Sequence, residues 1–179
     1  MVEQKGRQSI EDDFYDDDDE DTQKDKYLTF TVGKEDYGIE ISHVTEIIGI
    51  QKITDVPDMP ACVRGVINLR GKVIPVMDVR LRFGMPEREY DDRTCIVVVN
   101  VNGSAVGLVV DTVREVAGIP ADQIELPPEM AESGTQHYIK GLGKTGEDVK
   151  ILLDVENLVR REHMDAVASR AEFSKAPPA

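Results

Sequence analysis

The groups that could do chemistry are three histidines, two cysteines and thirty-five carboxylates, and their spacing argues against most of it. His43, His137 and His163 fall on different segments with no ligand spacing, so no metal site is expected. Ser42 stands beside His43, but adjacency in sequence does not set an imidazole on a hydroxyl. Cys62 and Cys95 are isolated, and they read as free thiols rather than a CxxC site or a disulfide framework. Gly141–Gly146, GLGKTG, invites a phosphate-loop reading. That motif needs a further glycine where Tyr138 stands, and a helix where Glu147–Leu153 reads as a strand. A hairpin turn is expected there, and no cofactor. No pair of carboxylates is matched for general acid and base work. Asp78 and Asp154 each precede a short helical pattern and read as caps. The expectation is a binding protein and not an enzyme.

Charge narrows the partners. The chain has 179 residues and a formal charge of −14. Residues 1–26 hold eleven acids and four bases, half of that charge, with the run EDDFYDDDDED over Glu11–Asp21. Such a run does not bury enough surface to offset ordering, so 1–26 is expected as a disordered acidic tail. It reads either as a solvated tail that aids solubility or as an acidic arm that screens a surface or meets a basic partner, with Phe14 and Tyr15 as small anchors. No basic stripe exists to neutralise phosphates, so nucleic acid is not an expected partner. No apolar run approaches the ~20 residues of a membrane span, and no secretion signal opens the chain. A cytoplasmic protein is expected.

The rest reads as short strands. Val63–Asp78, VRGVINLRGKVIPVMD, is a hairpin with Arg70-Gly71-Lys72 at its tip, β-branched arms, and Arg70 and Lys72 as charges at the end of an apolar ribbon. Pro75 predicts an edge strand or an interruption. Tyr27–Val32 and Tyr37–Ile41 form a hairpin around Gly33–Asp36, followed by a helical turn capped by Ser42. Val44–Ile50 is apolar except for Glu46, a charge that needs a partner or an exposed face. Thr54–Ala61 is a loop. Asp78 caps a helix over Val79–Phe83, and Glu87–Arg93 is a charged connector. Thr94–Val101, with four β-branched residues in a row, suits burial on both faces. Asn102-Gly103 turns it into Ala105–Val110, and Asp111–Val116 follows. Pro120–Pro128 and Met130–His137 read as loops. Tyr138–Leu142 and Val149–Leu153 pair around Gly143–Asp148. Asp154 caps a helix that continues to Val167.

The pattern repeats. Gly38, Val44, Glu46 and Gly49-Ile50 recur at an offset of 69, as Gly107, Val113, Glu115 and Gly118-Ile119. Gly65, Val73 and Asp78-Val79 recur at an offset of 76, as Gly141, Val149 and Asp154-Val155. About five strands per copy suggest a small barrel, because closure removes sheet edges. The expected fold is all-β: two five-stranded barrels packed together, one over about 27–86 and the other over about 94–159, with 160–179 as a helical extension and frayed end. Their apolar seam is where a groove is expected.

VRGVINLRGKVIPVMDVRLRFG, preceded by YGIEISHVTEII and followed by CIVVV and GLVVDTVREV, resembles the CheW-like domains of chemotaxis coupling proteins over about Tyr27–Val159. The resemblance implies two SH3-like barrels in a stand-alone adaptor without a cofactor, recruited to membrane receptor arrays only through receptors. Its implied partners are the cytoplasmic helical-hairpin tip of methyl-accepting chemoreceptors and the regulatory domain of the histidine kinase CheA. Receptor contact is implied for Val44 and Glu46 in VTEI, Gly65 in RGV, and Asn68 and Arg70 in NLRG. A receptor helix is expected to lie in the seam, with Glu46 paired to Arg70 at its mouth. The alternative implied by the same fold is a scaffold in a chemosensory-like pathway with an output other than flagellar motility.

Overall fold

A computed structural model describes residues 23–127 and 138–160. Residues 1–22 of the expected tail, the loop Met130–His137 and the extension after Arg160 lie outside the described residues. So do His163 and the expected continuation of the last helix to Val167. Lys26 of the expected tail already opens the first strand, Lys26–Val32.

Two sheets carry the fold. The six-stranded sheet runs β8(Thr112–Gly118), β1(Lys26–Val32), β2(Glu35–Glu40), β11(Asp148–Leu153), β10(Ile139–Thr145), β9(Ile124–Glu125). The five-stranded sheet runs β3(Val44–Gly49), β6(Cys95–Val101), β7(Ser104–Val110), β5(Lys72–Asp78), β4(Val63–Leu69). The two sheets have the same plan. In the repeat, β1–β2 corresponds to β6–β7, β3 to β8, and β4–β5 to β10–β11. Each sheet therefore takes its first hairpin from the opposite copy. The joint is a parallel pair in both cases, Ile151 opposite Tyr37 and Val76 opposite Gly107. This corrects the expected division into 27–86 and 94–159, because the sheets do not split at the connector. Periodicity reveals a strand but not its partner.

Local differences from expectation follow from turn chemistry. Val32 pairs with Glu35 and Thr145 with Asp148, so both hairpins close on two residues, Gly33-Lys34 and Gly146-Glu147, with Gly33 and Gly146 at positive φ. Both loops are shorter than expected, since a glycine at the first turn position permits the tight turn. Pro75 lies in β5, which is not an edge strand. Its parallel ladder with β7 begins only at Val76, so the missing N–H of Pro75 is not called on there. Ile41–His43 is a single 3₁₀ turn whose N-cap is Glu40, and Ser42 makes no capping bond. Asp78 and Asp154 do cap: they accept from the backbone N–H of Arg80 at 2.9 Å and of Asn157 at 3.2 Å.

Three cores follow from strand alternation. In β6, Ile96 and Val98 turn into the five-stranded sheet with Ile67, Ile74 and Val109. Val97 and Val99 turn the other way, into the seam, where they meet Leu28, Phe30, Ile39 and Met77. Both faces of β6 are buried, as its run of β-branched residues requires. Tyr27, Ile119 and Leu152 fill the smaller interior of the six-stranded sheet. The seam is packed shut by its own side chains, none of its buried members more than 7% exposed. The expected groove for an incoming helix is thus not the interior of this seam.

Where the chain leaves the five-stranded sheet for the six-stranded one, Asp111 holds the crossing. Arg80 forks onto it, Nε to Oδ1 and Nη2 to Oδ2, each at 2.8 Å. The Gly33 N–H donates to Oδ2 at 2.8 Å, and Arg88 Nη1 adds a contact at 3.2 Å. Burial raises the Asp111 pKa, but the bonds from Arg80 and Gly33 and the charges of Arg80 and Arg88 outweigh it and hold the carboxyl below its usual range. Asp36 is lowered likewise, first by its hydrogen bond from Lys150 and then by that from Thr31. A lowered folded pKa adds stability that is complete above the unfolded value near ~3.9 and is lost as pH falls through the folded value. Asp111→Asn should cost about 3 kcal/mol at neutral pH, by leaving two guanidinium groups short of their anion. It should also flatten the loss of stability below pH ~4. Urea unfolding between pH 2 and 7 checks both.

Candidate functional site

The expected site residues sort themselves by one bulge and one turn. Val44 pairs with Val99 but Glu46 pairs with Val98, so Thr45 is an extra residue in β3. Its hydroxyl donates to the Val98 carbonyl at 3.0 Å. In an unbroken strand, residues two apart share a face. The bulge separates them. Val44 packs on the seam core, whereas Glu46 takes the side of Val98, toward the interior of the five-stranded sheet.

Across from Glu46 stands the β4–β5 hairpin. Leu69 pairs with Lys72, so the loop is Arg70-Gly71, and both residues have positive φ, 52° and 83°. That is the turn whose twist matches a right-handed ribbon. An arginine in left-handed backbone is strained, and Asn68 supports it: its Oδ1 accepts from the Gly71 N–H at 2.9 Å. Arg70 is thereby aimed across the sheet's open edge, and its Nη2 pairs with Glu46 Oε2. β3 and β4 are the two edges of the sheet. The ion pair therefore bridges the two edges across the barrel mouth. A second closure lies beneath it, where Thr54 and Val66 exchange backbone bonds of 2.8 and 2.9 Å.

Gly65 explains that second closure. It has φ +147°, and a Cβ added there would stand 2.0 Å from the Thr54 carbonyl oxygen. Gly65 is buried, and the backbone that approaches it closely is the chain's own. Of the five expected residues, Glu46, Asn68 and Arg70 come together at the barrel mouth. Gly65 supports that mouth from below, and Val44 faces elsewhere.

The repeat separates architecture from what is left over. The Gly65 strap recurs at Gly141, where a Cβ would meet Ile124 Cγ2 at 2.7 Å and the Glu125 carbonyl at 3.0 Å. The caps recur, and so do the bonds Asp78 N–H to Cys62 O and Asp154 N–H to Tyr138 O, both 2.8 Å. The mouth does not recur. Glu115 matches Glu46, but Lys144 stands where Asn68 does and Gly146 where Arg70 does. The second mouth is bridged by Lys144 and Glu125 instead. Arg70 and its brace are therefore dispensable to the architecture.

One set of surface residues went unnoticed in the sequence. Ile47 and Val73 are exposed large apolar side chains, and so are Val116 and Val149. They are repeat partners at the offsets 69 and 76. The signal was available: an apolar residue kept in both copies but facing away from the core.

Residues 26–163 match the sequence profile of the CheW-like domain. The chain is 40% identical to the "Chemotaxis protein CheW" of Klebsiella aerogenes, with 82% of this chain and 89% of that protein covered. It is 31% identical to the protein of the same name from Treponema pallidum, over 79% of this chain and 86% of that one. Among solved structures it is similar to the scaffolding protein TtCheW from Thermoanaerobacter tengcongensis, with a TM-score of 0.70 and 35% identity, covering 76% of this chain and 92% of that one. With the profile spanning most of the chain and the twin-sheet plan beneath it, this chain belongs to the CheW-like domain family.

Proposed function

We propose that this chain is a chemotaxis coupling adaptor that joins the cytoplasmic tip of a chemoreceptor to the kinase CheA and acts without catalysis of its own. The observation that carries this reading is the asymmetry between the two copies. The Glu46–Asn68–Arg70 mouth occurs once, so it suits a partner unlike this chain, the helical receptor tip. The apolar pairs Ile47/Val116 and Val73/Val149 occur twice. They suit a partner built on the same repeat, the CheW-like regulatory domain of the kinase. The adaptor then transmits a population shift between kinase states through its differential affinity for them. Each contact is small and avidity comes from the array, which would bring a cytoplasmic protein to the membrane through the receptors. Among the described residues no helix is long and apolar enough to cross a membrane.

The test uses the duplicated surface. Val73→Asp and Val149→Asp alter exposed positions, so each should leave stability within about 0.5 kcal/mol. At least one should weaken binding of the kinase regulatory domain tenfold or more by calorimetry, while receptor-tip binding persists. Unchanged kinase-domain affinity in both variants would refute the assignment of that surface.

A further inference from the structure

A cleft of about 480 Å³ opens where the described chain begins. Its apolar floor is Tyr27, Ala121 and Ile124, and Lys24, Lys26 and Lys140 stand around it with the carboxylates of Asp25 and Glu40. Lys140 pairs with Glu40 and lies 5.7 Å from the centre of the Tyr27 ring. Lys24 and Lys26 are exposed and have no carboxylate in ion-pair range among the described residues. Immediately before them in the chain comes Glu11–Asp21, in which nine of eleven residues are acidic and the other two are Phe14 and Tyr15.

We propose that this acidic segment docks on the cleft of its own chain, with Phe14 and Tyr15 over the Tyr27–Ile124 floor and the flanking aspartates facing the lysines. The chemistry matches at both levels: an aromatic pair for an apolar floor, and anions for Lys24 and Lys26, since Lys140 is already paired with Glu40. The reach is sufficient. Tyr15 lies eight residues before Gln23, which itself lines the cleft, and eight residues span up to ~28 Å. A short tether also gives the segment an effective concentration in the millimolar range, so a weak contact is populated. Any acidic partner segment seeking this face must displace the tail, which makes the tail a built-in competitor. This is separate from the barrel mouth and the duplicated apolar pairs.

Amide spectra of the full-length protein at low salt test it. Two variants leave the folded domain untouched: Phe14→Ala with Tyr15→Ala, and Asp16→Asn, Asp17→Asn, Asp18→Asn and Asp19→Asn together. Docking predicts that both variants shift the amides of Ser42, Ala121 and Lys140. It predicts further that 0.5 M NaCl, where screening acts within about 4 Å, moves the wild-type amides to the same positions. Superimposable spectra at those three amides would overturn the proposal. Shifts confined instead to a second cleft, which Arg93 and Arg114 line with Asp91 and Asp92, would overturn it as well, by placing the tail elsewhere.

Discussion

Gly65→Asp should be among the most destabilising single changes in this protein, at about 4 kcal/mol or more. Several costs add. The Cβ alone would stand 2.0 Å from the Thr54 carbonyl oxygen, so the strap after β3 must move. Moving it breaks the two Thr54–Val66 backbone bonds, each worth about 1 kcal/mol net, with a larger penalty for groups left buried and unpaired. The left-handed φ of +147° strains any side chain. A carboxylate would also be brought to a buried position with no cation arranged for it. Gly65→Ala should already cost roughly half as much, because the first carbon makes the collision. Gly49→Ala is the control: a Cβ there meets nothing within 4 Å, and it should change stability by less than about 0.5 kcal/mol. Denaturant unfolding of the three variants decides the order. Gly65→Asp should therefore not spare the fold while abolishing receptor capture. A loss of capture would instead track the loss of the strap, and with it the barrel mouth.

Arg70→Glu should do the reverse, leaving the fold alone and losing the receptor. The Arg70 side chain is 73% exposed and that of Glu46 26% exposed, so their pair contributes only about 0.2–1 kcal/mol to stability. A double-mutant cycle with Glu46→Ala and Arg70→Ala should give a coupling energy in that range, not the ~3 kcal/mol of a buried pair. Reversing the charge turns an attraction into a repulsion at the mouth. It should lower receptor-tip affinity at least tenfold, about 1.4 kcal/mol, with a larger effect at low salt. Asn68→Ala should weaken binding less, because it removes only the brace under the Arg70-Gly71 turn. Calorimetric titration with a receptor-tip fragment measures all of these.

Much of this was legible in the sequence. The β-branched run of β6 announced a strand buried on both faces, and Val97 and Val98 do face opposite cores. Glu46 in an apolar strand demanded a partner, and Arg70 is that partner. The spaced glycines disclosed the repeat. Three things were hidden for physical reasons. The exchange of hairpins between sheets is long-range pairing, to which local periodicity is blind. The bulge at Thr45 rotates Val44 away from Glu46, and a single inserted residue leaves no mark in an apolar run. The seam was expected as a groove because both sheets offer it apolar faces. Phe30, Ile39, Met77 and Leu108 are buried in it instead. The candidate site residues came from the family resemblance, and turn geometry brings Glu46, Asn68 and Arg70 together.

The central claim is that one molecule holds two different partners at once on separate surfaces. Sedimentation velocity on the full-length chain with a receptor-tip fragment and the kinase regulatory domain tests it directly. The account predicts a ternary species at saturating concentrations of both, lost with Arg70→Glu while the complex with the kinase domain remains. If the two partners displace one another, so that only binary complexes sediment, the account is wrong.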